Sequence, residues 1–191
     1  MRLVLASSSL FRRRLLEQLD LSFQCISPEI DETPLRGEGP QALVRRLSIA
    51  KTRAVAPIAP IALVVGSDQV AVHNGRIVGK PKDRADAVSQ LRKSAGRIVT
   101  LYSGIALLNT ENNNLQVEVV PFEVHFRSLT NDQIERYLER EQPYGSCGSL
   151  RADGLGIALL EHLRGGDPSA LIGLPLTTLV RMLMSEGFEV I

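Results

Sequence analysis

The run Ile61-Ala62-Leu63-Val64-Val65-Gly66-Ser67-Asp68-Gln69-Val70-Ala71-Val72-His73-Asn74-Gly75-Arg76-Ile77-Val78 decides the fold. Residues 61–65 are wholly apolar and read as a strand. Gly66-Ser67-Asp68 reads as a glycine turn that ends this strand and presents one acid before an apolar strand resumes. Residues 69–73 and 76–78 then form a hairpin, because Asn74-Gly75 suits the tight two-residue turn.

On the N-terminal side, residues 2–6 read as a buried first strand and Ser7-Ser8-Ser9 as its break. A helix follows over 10–19, with Phe11, Leu15, Leu16 and Leu19 at helical spacing. Residues 23–27 make a short strand, 28–39 a loop rich in acids, prolines and glycines, and 41–56 a helix. On the C-terminal side, 83–95 is a helix capped by Asp83, and 97–109 and 115–127 are two long β-runs turned by Glu111-Asn112-Asn113-Asn114. Residues 129–139 form an amphipathic helix capped by Thr130, 145–156 are irregular, 156–163 a strand, and 175–186 a helix with proline in its first turn. Strands and helices alternate around an antiparallel hairpin, which predicts an α/β fold with a mixed sheet.

The chain has 191 residues, enough for one domain, or one domain with two lobes around a cleft. Aromatic residues make up 4% and tryptophan is absent, so aliphatic side chains fill the core and stacking platforms for single-stranded nucleic acid are not expected. A formal net charge of +1 recruits neither nucleic acid nor an anionic membrane, so an anionic ligand needs a local basic cluster. The apolar stretch before Ser7 is too short for a secretory signal, and no uncharged run approaches the roughly 18 residues of a membrane span. The chain therefore reads as cytoplasmic. Cys25 and Cys147 match no metal spacing and read as free thiols, Cys147 as structural.

Neither a P-loop nor a dinucleotide-binding glycine motif is present, and His73, His125 and His162 have no zinc-like spacing. Five segments carry chemistry instead. Ser7-Ser8-Ser9-Leu10-Phe11-Arg12-Arg13 sets a strand-to-helix turn beside two guanidiniums, which suits phosphate, although taken alone a capped helix with a solvated basic face is the simpler reading. Asp31-Glu32-Thr33-Pro34 places adjacent carboxylates in a loop, suited to Mg²⁺ or Mn²⁺, with Lys51 on the next helix; a solvated acidic turn is the alternative. Asp68, caught between apolar strands, is costly unless paired or metal-bound, so it suits a general base or metal ligand, or else a turn aspartate bonded to local backbone. Gly79-Lys80-Pro81 fixes where a lysine head points, for a triphosphate or for solvent. The glycines of 148–156 and Gly173-Leu174-Pro175 permit close backbone approach or serve turns.

Taken in order, Ala6-Ser7-Ser8-Ser9-x-x-Arg12-Arg13, Asp31-Glu32-Thr33-Pro34, Gly66-Ser67-Asp68-Gln69-Val70, Gly79-Lys80-Pro81, Thr100 to Gly104 and Gly173-Leu174-Pro175 closely resemble the Maf family over essentially the whole chain. The resemblance implies a single Maf domain over 1–191, with an elongated mixed sheet flanked by helices and two lobes around a cleft, similar to the inosine-triphosphatase group. It implies cleavage of nucleoside triphosphates to a monophosphate and pyrophosphate with a divalent metal, Mg²⁺ or Mn²⁺. Asp68 matches the proton acceptor, Ser7, Arg12, Arg13, Lys51 and Lys80 the phosphate-handling positions, and Glu32, with Asp68, the acids at the metal.

Members resembling the thymidine and uridine triphosphate group carry arginine where Phe11 stands and threonine where Gln69 stands. Phe11, Gln69 and Asp153 are instead similar to the group acting on 7-methyl-GTP. N7-methylated guanine is cationic, and an aromatic face attracts such a cation by about 0.5–2 kcal/mol. A carboxylate such as Asp153 can accept from guanine N1–H and the amino group. For Phe11 the alternative is core packing, and for Asp153 a surface loop. The rival readings are a pyrophosphatase for dTTP, UTP or 5-methylated pyrimidine triphosphates, and a non-enzymatic regulator of septum formation and cell division. The partner expected is a small-molecule nucleotide, without stable nucleic-acid or membrane binding; some members are dimers, and a homodimer is carried over as an expectation.

Overall fold

The computed structural model describes residues 1–191. It has a mixed seven-stranded sheet in the order β2-β1-β3-β5-β6-β7, with β4 paired to β3. The strands are β1 (Arg2–Ala6), β2 (Phe23–Ile26), β3 (Ala62–His73), β4 (Arg76–Val78), β5 (Ile98–Asn109), β6 (Leu115–Phe126) and β7 (Leu160–Gly165). The helices are α1 (Leu10–Glu17), α2 (Pro40–Val55), α3 (Arg84–Ser94), α4 (Asn131–Glu141) and α5 (Leu176–Ser185). β1 runs parallel to β2 and β3, whereas β3–β4 and β6–β7 are antiparallel, so the mixed α/β class expected from the sequence is the one found.

Two compact units divide the chain. The first comprises Met1–Gln69, Ser103–Val120 and Asp167–Ile191, the second Val70–Tyr102 and Pro121–Gly166. In the first unit the two-residue period of a strand sorts the core onto two faces. Leu3, Leu5, Leu63, Val65, Ile105 and Leu107 pack with Leu15 and Leu16 of α1 and Leu179, Met182 and Leu183 of α5. The intervening Val4, Ala6, Ala62 and Val64 pack with Val55 of α2 and Ala59.

The same alternation explains where the sequence reading of Gly66 departs from the structure. β3 does not stop at Gly66-Ser67-Asp68; it runs unbroken through them, and Gly66 has no left-handed backbone. A Cβ on Gly66 would stand 2.4 Å from Ser48 O and 2.9 Å from Thr52 Cγ2, and one on Gly104 of β5 would stand 2.4 Å from Val44 O. Both glycines leave room for α2 to lie against the strands. The lack of a side chain, and not a turn, is what Gly66 contributes.

In the second unit, Asn74 and Gly75 both have positive φ, 49° and 72°, as the hairpin turn requires. Asp83 caps α3 by accepting from Asp86 N, and Thr130 and Gln133 form a reciprocal capping box on α4. The last strand differs from expectation. Residues Leu155–Leu159 form a short 3₁₀ turn and the strand is Leu160–Gly165, its end admitted beside Phe122 because Gly165 has no Cβ. α1 likewise ends at Glu17, two residues earlier than the spacing suggests, since Asp20 turns left-handed at φ 52°. No helix is long and apolar enough to cross a membrane.

Gly66→Ala is predicted to destabilise the protein by about 1–3 kcal/mol, the usual cost of overpacking. Urea unfolding of the variant checks this; unchanged stability would mean that α2 does not need the gap.

Candidate functional site

Period-two alternation carries past the apolar part of β3. Gly66 and Asp68 face α2, while Ser67 and Gln69 face the side that holds α1 and the segment before α5. Each side makes one half of a polar centre in the first unit.

On the α2 side, Lys51 is buried within the helix that Gly66 admits. Its ammonium lies 2.6 Å from Asp68 Oδ1, 2.9 Å from Glu32 Oε1 and 3.5 Å from Ser67 O. Three acceptors therefore meet the three N–H donors of the ammonium. The Lys51 and Asp68 side chains are 5% and 11% exposed, whereas Glu32 is 58% exposed. Removing one partner of a buried pair typically costs about 3–5 kcal/mol, and an exposed pair contributes about 0–1 kcal/mol. Asp68 thus holds Lys51 in place, and Glu32 adds little to the fold.

Glu32 arrives on a loop secured by α2 itself. Arg46 donates to both oxygens of Glu38 at 2.6 and 2.8 Å and to Thr33 O at 3.1 Å. Asp31 accepts from Thr33 N at 2.9 Å, which lowers the Asp31 pKa. The Arg46 hydrogen bonds, helped by Leu35 N, hold the Glu38 carboxyl down to about 2.

Ser7 lies buried at the end of β1 on the way into α1. Its Oγ accepts from Ser9 N at 3.1 Å, and Ser9 caps α1 by accepting from Arg12 N at 3.4 Å. Phe11 is half-buried in the first turn of this helix. Arg12 Nε donates to Gly173 O at 2.9 Å, and Ser67 Oγ donates to the same oxygen at 2.9 Å. Gln69 Nε2 donates to Ala170 O at 2.7 Å, Ser103 Oγ at 3.0 Å and Leu171 O at 3.3 Å, which fixes the direction of its carboxamide. Gly173, at φ 114° and beside Gln69 and Arg12, needs to be glycine for its backbone conformation.

Of the residues singled out in the sequence, Glu32, Lys51 and Asp68 touch, and Arg12 and Gln69 share the 170–173 segment. Arg13 turns outward to Glu17 at 2.9 Å. Lys80 and Asp153 belong to the second unit. There Tyr137 OH donates to Ser149 O at 3.0 Å and accepts from Arg151 N at 3.0 Å; burial pushes its pKa up to about 12, so it keeps its proton. Arg151 reaches Glu141 at 2.9 Å and Asp153 Oδ1 at 3.4 Å. Sequence alone assigns Ser67 and Ser103 no role as site residues, because their partners lie 37 to 106 positions away in the chain. Cys25 and Cys147 form no disulfide.

These features define a mixed α/β protein with a buried lysine–carboxylate centre on the middle of its sheet. The chain belongs to the Maf family: the family described as Maf-like protein matches residues 2–186. It is 51% identical over 189 residues to a protein of Nitrosococcus oceani named 7-methyl-GTP pyrophosphatase, covering 99% of this chain and 95% of that one. A Vibrio parahaemolyticus protein of the same name is 48% identical over 189 residues, covering 99% and 97%. The solved structure of the Staphylococcus aureus Ham1 protein superposes with a TM-score of 0.53 at 14% identity, covering 97% of this chain and 100% of that one, a likeness of fold alone.

The Glu38 anchor has a definite pH dependence. Its folded pKa lies below the ordinary value of about 4.3, so its stabilisation is complete above that value and disappears as pH falls through about 2. Glu38→Gln should lower Tm at neutral pH, with the difference from the parent shrinking below about pH 4. A difference independent of pH would show that the pair does not anchor the loop.

Proposed function

We propose that this protein is a nucleoside triphosphate pyrophosphatase that hydrolyses 7-methyl-GTP to 7-methyl-GMP and pyrophosphate, acting on a small-molecule nucleotide in the cytoplasm. The observation that carries the reading is the buried Lys51–Asp68 pair, 2.6 Å apart, with Glu32 on the same ammonium. The names of two relatives about half identical over nearly their whole length support the substrate.

Hydrolysis of a phosphoanhydride depends on positioning and charge stabilisation more than on covalent chemistry. Lys51 engages Asp68 Oδ1, and the second carboxylate oxygen is the proton acceptor. The oxygen of water bonds to the α-phosphorus and its proton passes to Asp68. The bond from the α-phosphorus to the α–β bridging oxygen breaks, and its electron pair leaves with pyrophosphate. Arg12 and Lys51 offset the charge on the phosphates, with Ser7 and Arg13 as further phosphate-binding positions. Arg13 would have to leave Glu17, an exposed pairing that costs little to break.

The donor chemistry at Lys51 fits a divalent cation, because Glu32 and Asp68 offer hard carboxylate oxygens that already converge on one positive charge. When bound there with the nucleotide, Mg²⁺ or Mn²⁺ supplies charge neutralisation along the triphosphate.

In the first unit, Phe11 and Gln69 are the positions proposed to select the methylated base. Phe11 is the aromatic position proposed for the cationic purine, and the Gln69 carboxamide beside it in the proposal is held by three acceptors. In the second unit, Arg151 and Tyr137 fix the turn that carries Asp153.

A nucleotide panel with Mg²⁺ or Mn²⁺, scoring pyrophosphate separately from orthophosphate, tests the assignment. Pyrophosphate is expected from 7-methyl-GTP faster than from GTP, UTP or dTTP; a preference for UTP would overturn the substrate. Asp68→Asn should lower kcat by roughly 10²–10⁴-fold, the usual contribution of a general base, and near-normal turnover would remove Asp68 from the reaction. Phe11→Arg should erode the preference for 7-methyl-GTP over GTP by about 2–30-fold, corresponding to a cation–π contact. Unchanged selectivity would assign Phe11 to packing alone.

A further inference from the structure

Asp167 is a carboxylate with no part in the reaction described above, yet it is 2% exposed and accepts five hydrogen bonds. Oδ1 takes Ser169 N at 3.1 Å and Ser169 Oγ at 2.5 Å. Oδ2 takes Thr177 N at 3.0 Å, Thr177 Oγ1 at 2.7 Å and Thr178 N at 3.3 Å. Thr177 and Thr178 stand in the first turn of α5, whose own cap residue, Pro175, makes no side-chain cap bond. Asp167 therefore caps α5 from outside the helix. At the same time it ties the Pro168–Leu171 turn to that helix end. Ser169 Oγ closes the loop by accepting from Leu176 N at 2.6 Å.

The strap so formed presents three carbonyls to the site. Ala170 O accepts from Gln69 Nε2 and Ser103 Oγ, Leu171 O from Gln69 Nε2, and Gly173 O from Arg12 Nε and Ser67 Oγ. Gln69 and Arg12 thus derive their orientation from one short segment held at both ends by Asp167.

We infer that Asp167 is a positioning residue that sets the directions of Gln69 and Arg12, and through Gln69 the selectivity of the site for its base. Burial alone would raise its pKa, but the donors from Ser169, Thr177 and Thr178 outweigh burial and lower it, so the carboxylate remains an acceptor on both oxygens. An asparagine in its place cannot do this. Its amide NH₂ would face N–H and O–H donors on one side, opening either the turn or the helix end.

The inference rests on the proposed pyrophosphatase reading for its kinetic arm, and a second arm does not depend on that reading. Asp167→Asn and the near-isosteric Thr177→Val are compared with the parent at equal folded fraction, established by circular dichroism and thermal melting. Asp167→Asn is expected to raise KM for 7-methyl-GTP at least 10-fold and to lower the ratio of kcat/KM for 7-methyl-GTP over GTP at least 5-fold. Thr177→Val, which removes a single donor, should move both quantities the same way but less. In hydrogen exchange, the amides of Ile172 and Gly173, which bond to Ser169 O, should exchange at least 10-fold faster in Asp167→Asn while those of α2 stay unchanged.

A lower melting temperature with unchanged KM and unchanged selectivity would reduce Asp167 to a stabilising cap and overturn the inference. Unchanged exchange at Ile172 and Gly173 would also overturn it. Should the parent turn over no 7-methyl-GTP, the functional reading fails, and hydrogen exchange alone decides whether Asp167 holds the strap.

Discussion

The ammonium of Lys51, buried against Asp68, is the constraint that the rest of the centre serves. A lysine head withdrawn from water is expensive unless carboxylates and other acceptors surround it, and here Asp68, Glu32 and Ser67 O do so. The head reaches Asp68 only because α2 lies so close to the sheet that any Cβ on Gly66 or Gly104 would collide with its backbone. Two absent side chains thus set the position of the charged group. The strand period then does the rest, sending Asp68 to the α2 face and Ser67 and Gln69 to the other.

Two loops complete the arrangement, and they are secured differently. The loop bearing Glu32 is held by an arginine–carboxylate fork between Arg46 and Glu38, and Glu32 itself stays exposed. The segment from 167 to 173 is held by a buried carboxylate with five donors, and it locks Gln69 and Arg12 through its carbonyls. An exposed acid beside the buried ammonium and a tightly bonded segment beside Gln69 and Arg12 suit the separate demands of charge stabilisation and positioning in the proposed reaction.

How far the sequence reveals this depends on the range of each interaction. Asn74-Gly75, the Asp83 cap and the Thr130 capping box are legible because residues within a few positions determine them. Gly66 is misread as a turn because its reason for being glycine is a helix about 15 residues earlier, which no local pattern reveals. The stretch 156–163 suggests a strand, but its first half folds within the 3₁₀ turn Leu155–Leu159, where Glu141 accepts from Leu155 N and Gly156 must pass close to Arg151 O. At the candidate site, Glu32 and Asp68 stand out as acids in ordered motifs, and Lys51 as the lysine of the helix that follows Glu32. Ser67 and Ser103 lie inside such motifs yet show no role of their own, and Asp167 shows none either, since a lone serine or aspartate has no signature until its distant partners are placed.

The central claim is that Lys51 and Asp68 work as one unit, and a double-mutant cycle on kcat/KM for 7-methyl-GTP tests it most directly. Lys51→Met, Asp68→Asn and the double variant are compared with the parent under identical metal and pH. Groups acting as a unit lose their effect together, so the double variant should be no more impaired than the worse single variant, a coupling well above the roughly 0.5 kcal/mol scatter of independent sites. Losses that multiply, as for two residues with no shared task, would contradict the account.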